Sequence, residues 1–421
     1  MTNRFFHIPK LYLFYLLLFF SPISHAELAT ELFDAVRDKV YQVRIIDLAS
    51  SDKYSIGSGF KIDDGHVATN FHVISAYAHE PDKYRIELLL SDNTKVTAAE
   101  LVAFDVIHDL AILNVDLTHK EYLPLSSTNI EQGDRIFSMG NPRDLGMSIV
   151  EGTYNGLVPH SRYQKILFSG SLNPGMSGGP AFNSNGEVIG INVSTGGDQI
   201  SFLVPVRELK SLIENHQTSG DLTNFDEEIT QSLLHDQESF YNNILSSEFT
   251  METLGELMIP IEIDDSLRCW GHTQDDDDQK YKAVHQHCRS EDRIYIEDSF
   301  FVGSFAYDLE WIETESLNPS QFYTFLESRF YHRALRYRGE KVATKFSCHT
   351  DFVEIDNIKW KMSACLSEYK KYQGLHDMTL IMVSIDKKDR ASLASINASP
   401  ISKENAMNLM DTFMASIKWK N

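Results

Sequence analysis

Apolar side chains recur at helical spacing over residues 27–38 (Leu28, Leu32, Phe33, Val36), and the chain then reads as a strand from Val40 to Ile46. Short strand-like runs separated by turns follow at 56–60, 66–74, 84–90 and 95–104. Many short strands punctuated in this way predict an all-β barrel or sandwich, with helix only at its edges. A polar, glycine-containing stretch at 216–222 reads as a linker. Beyond it the pattern changes. Residues 225–245 place Ile229, Leu233, Phe240 and Ile244 near one helical face, and segments of period two follow at 299–312, 344–355, 358–369 and 378–385. These predict an antiparallel sheet, and helical patterns at 319–336 and 403–418 are expected to cover one side of it as an α+β domain.

The first 26 residues fit neither domain. Arg4 and Lys10 precede an apolar run at 11–20, and Ser24 and Ala26 bracket a cut after Ala26, the three parts of a secretory signal peptide. The run is short for a membrane span, which needs about 20 residues. Pro22 breaks it, and no later segment is apolar enough to cross a bilayer. The expected organisation is therefore a signal at 1–26, a first domain at 27–215, a linker at 216–222 and a second domain at 223–421. Such a chain is expected to be exported across the inner membrane to the periplasm, and not to be held in the bilayer once the signal is removed.

Charge and cysteine content narrow the partners. With 60 Asp and Glu against 38 Lys and Arg, the net charge of −22 repels phosphate backbones, so nucleic acid is not an expected partner. Cys269, Cys288, Cys348 and Cys365 all lie in the second domain. In an exported protein they read as two disulfides; three connectivities are open, with pairing between sequence neighbours preferred. Asp275–Asp278 lacks the glycine and terminal glutamate of an EF-hand loop and reads as a solvated turn. His285, His287 and Cys288, with His272, have metal-ligand chemistry, but a disulfide is the stronger claim on Cys288. Neither a metal nor a cofactor is expected.

The candidate chemistry lies in S-L-N-P-G-M-S-G-G-P at 171–180. A run so rich in glycine and proline holds Ser177 on a sharp turn and leaves backbone N–H groups free to donate, as a nucleophile and its oxyanion hole require. Upstream, His72 follows a strand-like run, and Asp109 interrupts an otherwise buried-looking one, a costly position unless the carboxylate is hydrogen-bonded. His72, Asp109 and Ser177 follow one of the few orders that build a serine-protease triad.

On these residues the chain resembles trypsin-fold serine proteases of the HtrA/Deg type. The matching pieces are G-S-G-F (57–60), A-T-N-F-H-V (68–73), H-D-L-A-I-L (108–113), G-D-R-I-F-S-M-G-N-P (133–142), N-P-G-M-S-G-G-P (173–180) and G-E-V-I-G-I-N (186–192). The resemblance implies two antiparallel β-barrels, the first supplying His72 and Asp109 and the second Ser177. It implies a nucleophilic Ser177, a His72 base oriented by Asp109, and an oxyanion hole from the N–H groups of Gly175 and Ser177. His66 and His108 do not align with the family's histidine and read as structural. Ser171 stands where proteases selective for Arg or Lys carry an acid, so cleavage after small or medium apolar residues is expected, with Ser201 and Phe202 as further pocket residues. Met176 departs from the polar residue usual before the nucleophile, which leaves open whether the oxyanion loop forms without a ligand. No PDZ-like pattern follows. The resemblance implies an exported endopeptidase acting on unfolded or damaged envelope proteins; the competing reading is a latent or inactive protease-like binding module whose second domain recognises a partner. The oligomeric state is left open.

Overall fold

The computed structural model describes residues 25–90, 96–117, 120–218, 222, 224–275, 279–332 and 338–419. The expected signal, apart from its last two residues, most of the 275–278 acid run and the end of the helix expected at 319–336 lie outside the described residues.

Helix α1 (His25–Val36) leads into a closed antiparallel barrel of β1 (Val40–Asp47), β2 (Lys53–Lys61), β3 (His66–Thr69), β4 (Tyr84–Leu90), β5 (Val96–Asp105) and β6 (Leu110–Asn114), in the order β1-β2-β3-β6-β5-β4. A second closed barrel holds β7 (Arg135–Gly140), β8 (Ser148–Leu157), β9 (Ile166–Phe168), β10 (Pro180–Phe182), β11 (Val188–Gly197) and β12 (Ile200–Pro205), in the order β10-β11-β12-β9-β8-β7. This is the double barrel that the resemblance implies. Period-two alternation divides the first barrel's apolar residues between two cores. Tyr41, Val43, Ile45, Ile86, Leu88 and Leu113 pack in one; Val40, Phe60, Ala68, Leu110 and Ile112 pack in another that continues into the second barrel and α1.

One expected strand is cut short. The run 66–74 is strand only to Thr69, and helix α2 (Phe71–His79) follows Asn70, whose φ −87° and ψ 152° mark the break. Phe71, Ile74 and Ala78 are buried at i, i+3 and i+7, a helical period that overlaps the strand-like reading. The break puts His72 in the first turn of a helix.

After α3 (Val206–Thr218) and α4 (Phe225–Ser246) come β13 (Thr250–Leu254), β14 (Leu257–Glu262), β15 (Leu267–Gln274), β16 (Lys282–Ser290), β17 (Ile294–Glu297), β18 (Phe300–Val302), β19 (Ser304–Glu313), α5 (Pro319–His332), β20 (Ser347–Ile355), β21 (Ile358–Glu368), β22 (Leu375–Ser384), β23 (Arg390–Ser402), α6 (Lys403–Ser416) and β24 (Lys418–Trp419). Seven strands make one antiparallel sheet, β15-β16-β19-β23-β22-β21-β20. Cys269 faces Cys288 across β15 and β16, and Cys348 faces Cys365 across β20 and β21. Each pair is disulfide-bonded, so each edge hairpin of the sheet is covalently closed.

The helices do not cover one side. Tyr307, Leu309, Leu380, Met382, Ile396 and Ala398 pack with α4 and α6, whereas Ile312, Ile381, Val383 and Leu393 pack with Phe322, Leu326 and Phe330 of α5. Both alternations of the central strands are apolar, so both faces need cover and α5 takes the second. The halves of the chain also share a core. Ile229 and Leu233 of α4, with Ile294, Ile296, Phe300 and Val302 of the β17–β18 hairpin, are buried together with Phe71, Val73 and Ile74 of α2.

Candidate active site

The turn before β6 holds Asp109 at φ 59°, a left-handed conformation that aspartate tolerates better than most residues. Asn70 Nδ2 donates to the Asp109 carbonyl at 2.8 Å, which ties this turn to the start of α2. The carboxylate then clasps His72 twice: Oδ1 accepts from the His72 backbone N–H at 2.8 Å, and Oδ2 lies 2.6 Å from His72 Nδ1. Burial pushes the imidazole pKa down, but the charge and hydrogen bond of Asp109 outweigh it and hold it above the ordinary 6.5. With Nδ1–H donated to the carboxylate, neutral His72 keeps Nε2 as its acceptor.

Ser177 comes from the loop between β9 and β10. Two glycines bring this loop against the start of α2. A Cβ at Gly178, whose φ is +83°, would lie 2.3 Å from Thr69 Oγ1 and 2.9 Å from Asn70 N, at the very start of α2. A Cβ at Gly57 would touch both Val73, next to His72, at 2.5 Å and the Ser177 carbonyl at 3.1 Å. No larger residue permits that approach. Ser177 Oγ donates to Val193 O at 3.5 Å, and among the described residues no hydrogen bond runs from it to His72. Catalytic hydrogen bonds are often loose until substrate binds.

Five consecutive carbonyls of the loop are engaged. Asn173 O accepts from Met176 N at 3.0 Å, Pro174 O from Arg143 N at 2.8 Å and Ser177 O from Ser58 N at 2.7 Å. Gly175 O accepts from Ser58 Oγ at 2.8 Å, and Met176 O from Asn192 Nδ2 at 3.1 Å. By contrast, the N–H groups of Gly175 and Ser177 donate to nothing among the described residues. Because a trans peptide points its C=O and N–H to opposite sides, fixing Pro174 O on Arg143 turns the Gly175 N–H away from it.

Met176 is fully buried among Ile136, Ile166, Phe168 and Leu172. Of the expected pocket residues, Ser171 is exposed at the loop's start. Ser201 is fully buried, and its hydroxyl accepts from Leu172 N at 3.2 Å, bracing the same loop. Phe202 is half-buried against the inter-barrel core. His66 and His108 are each engaged by a carboxylate of their own turn, Asp63 at 2.9 Å and Asp105 at 2.6 Å. In the C-terminal sheet, His285 Nε2 and His287 Nδ1 approach Asp308 Oδ1 at 3.4 and 2.7 Å, while Cys288 is bound in its disulfide.

Three contributors were not read from sequence. Ser58 and Asn192 sit inside the G-S-G-F and G-E-V-I-G-I-N pieces, so their signal was present but their role, as struts of the loop, was not. Tyr295 of β17 packs against His72 with ring centroids 5.8 Å apart, and nothing in its sequence surroundings announces it.

Residues 57–191 match the family model of the trypsin-like peptidase domain. The chain is 33% identical over 181 residues to a probable periplasmic DegP-like serine endoprotease of Brucella suis, covering 39% of this chain and 34% of that one. A protein of the same description from Halomonas elongata is 33% identical over 186 residues, covering 41% and 38%. Among solved structures, a serine endoprotease from Yersinia pestis aligns at 27% identity with a TM-score of 0.40, covering 46% of this chain and 68% of that one. The chain thus spans little more than a third of the length of the curated relatives it matches. Its double-barrel half is thus similar, over residues 57–191, to trypsin-like peptidase domains and to the DegP-like serine endoproteases.

Proposed function

We propose that this chain is an exported serine endopeptidase that hydrolyses peptide bonds through Ser177, His72 and Asp109. The observation that carries the reading is the double clasp of His72 by Asp109 beneath a glycine-packed seam that brings the Ser177 loop to the same helix start. Ser177 Oγ attacks the scissile carbonyl, His72 Nε2 takes its proton and later returns it to the leaving amine, and Asp109 stabilises the imidazolium. The free N–H groups of Gly175 and Ser177 receive the oxyanion, each such donor being worth about 100- to 1,000-fold in rate.

The peptidase occupies 27–215, and 223–421 forms the second domain. Ser171 puts no charge at the start of the loop, in keeping with cleavage after small or medium apolar residues. Relatives described as periplasmic, together with the signal-like first 26 residues, support a periplasmic enzyme acting on unfolded or damaged envelope proteins. Casein hydrolysis by the mature protein and by Ser177→Ala tests the assignment, with fluorophosphonate labelling of Ser177 as an independent readout. Equal hydrolysis by both proteins, or an unlabelled wild type, would remove it and leave the binding-module reading.

A further inference from the structure

The β17–β18 hairpin belongs to the C-terminal half by sequence, yet it packs on the helix that carries the base. Ile294, Ile296, Phe300 and Val302 are buried against Phe71, Val73, Ile74 and Ala78. His79, at the end of α2, is 3.0 Å through Nε2 from the Ile296 carbonyl, and the hairpin tip is held by Tyr54, whose hydroxyl donates to Asp298 at 3.4 Å. Between these anchors Tyr295 meets His72 ring to ring, at 5.8 Å and an interplanar angle of 67°. Phe301 backs Tyr295 in turn, with centroids 5.3 Å apart. Ser75 joins His72 and Tyr295: its hydroxyl sits 3.2 Å from the His72 carbonyl and 3.3 Å from the Tyr295 phenol.

We propose that Tyr295 is a positioning residue for the His72 base, supplied to the peptidase site by the C-terminal half of the chain. The inference rests on the serine-peptidase reading above. Asp109 fixes the imidazole only along its Nδ1 edge, and an edge contact alone leaves the ring free to tilt. Tyr295 restricts that tilt from another side and keeps water from the 2.6 Å Nδ1 contact, where a dry environment strengthens the carboxylate's hold. The charged or titratable groups facing this pair are Asp109 from the β5–β6 turn and Asp298 from the hairpin tip, with Tyr54 from β2; His79, Asp226 of α4 and Lys371 form a separate cluster at the far end of α2. The fold therefore makes the second domain a structural part of the catalytic centre.

The test compares the full-length mature protein with Tyr295→Phe, Tyr295→Leu and Tyr295→Ala, measuring kcat and KM on one peptide substrate from pH 5.5 to 9, with a thermal melt of each sample. Phe keeps the ring and Leu keeps apolar bulk for the hairpin, so loss of packing and loss of the ring are separable. Geometry-specific aromatic contacts predict a fall in kcat of about five- to tenfold for Leu and Ala, with KM within about twofold and Phe within about twofold of wild type. Opening the pair to water changes both the burial penalty and the pull of Asp109 on the imidazole, so the acid limb of Tyr295→Ala moves away from its wild-type position. Wild-type kcat and limb in folded Tyr295→Leu and Tyr295→Ala overturn the inference while leaving the peptidase standing, as does a Tyr295→Phe variant as impaired as Tyr295→Ala. A wild type without turnover or fluorophosphonate labelling overturns both.

Discussion

Replacing Asp109 by Asn probes the clasp on His72 most directly, because the two hydrogen bonds make opposite demands on an amide. His72 N–H needs an acceptor at Oδ1, and the productive tautomer, protonated at Nδ1, needs another at Oδ2. An asparagine has one acceptor oxygen. If that oxygen serves the backbone N–H, the NH2 faces Nδ1, which must then accept, and the proton moves to Nε2, where His72 no longer takes one from Ser177. Restoring the productive tautomer sets two donors against each other at one of the contacts, at about 1–3 kcal/mol. Loss of the anion that stabilises the imidazolium adds to this, and the comparable change in a trypsin-fold triad costs about 10,000-fold in kcat, or roughly 5 kcal/mol.

The expected result is a fall in kcat of about 1,000- to 10,000-fold at pH 7 on a fluorogenic peptide, with little change in KM. The pH dependence carries a second signature. In the wild type the acid limb is expected above pH 6.5, because Asp109 raises the imidazole pKa against the effect of burial. In Asp109→Asn burial acts alone and the residual limb moves down. Linkage has a matching sign: a raised folded pKa contributes stability that is fully present below the unfolded value near 6.5 and fades as pH rises through the folded one. Asp109→Asn should accordingly lose more stability relative to wild type at pH 5.5 than at pH 9, read by urea denaturation. A kcat within tenfold of wild type at pH 7, or an unmoved limb, would refute the reasoning.

Two further substitutions test the frame around the site. Gly178→Ala puts a methyl 2.2 Å from Ser58 O in a left-handed conformation, and overpacking with backbone strain should cost about 3 kcal/mol by urea denaturation and reduce turnover. At another contact between the halves, Arg162 donates to Asp236 at 2.8 Å and lies over Phe240, with both charged side chains mostly buried. Arg162→Ala leaves that carboxylate with Tyr163 as its remaining partner and should cost about 3–4 kcal/mol, while Arg162→Met with Asp236→Leu should recover most of the loss.

Local period and collinear motifs made the barrels legible. Strands such as β4 and β5 fall close to the runs that alternate, and the site residues sit in motifs whose glycines serve close backbone approaches. Where two periods overlap, as over 66–74, the strand reading hid the helix that carries His72. The C-terminal sheet was legible from its alternation and its cysteines, but the disposition of α5 was not, because apolar residues on both alternations say only that both faces are covered. Tyr295 was illegible for a different reason. Its neighbours His72 and Ser75 lie more than two hundred positions away, and no local pattern encodes a contact made when one domain docks a short hairpin on the other.

Met176 shows how the loop stands without a polar residue at that position. Its side chain is sunk in an apolar cluster of the second barrel, so the residue before Ser177 is held by burial, and no charge partner is required. The backbone around it is set by neutral groups: Ser58 reaches the loop through both its N–H and its hydroxyl, and Asn192 spans Met139 O and Met176 O while accepting from Ser138. Burial and neutral hydrogen bonds both persist across the pH range in which His72 titrates. On the proposed mechanism, control of activity by protons therefore falls on His72 and the groups that flank it, Asp109 from the first barrel and Tyr295 from the C-terminal half, because the bonds named here that hold the Ser177 loop are neutral.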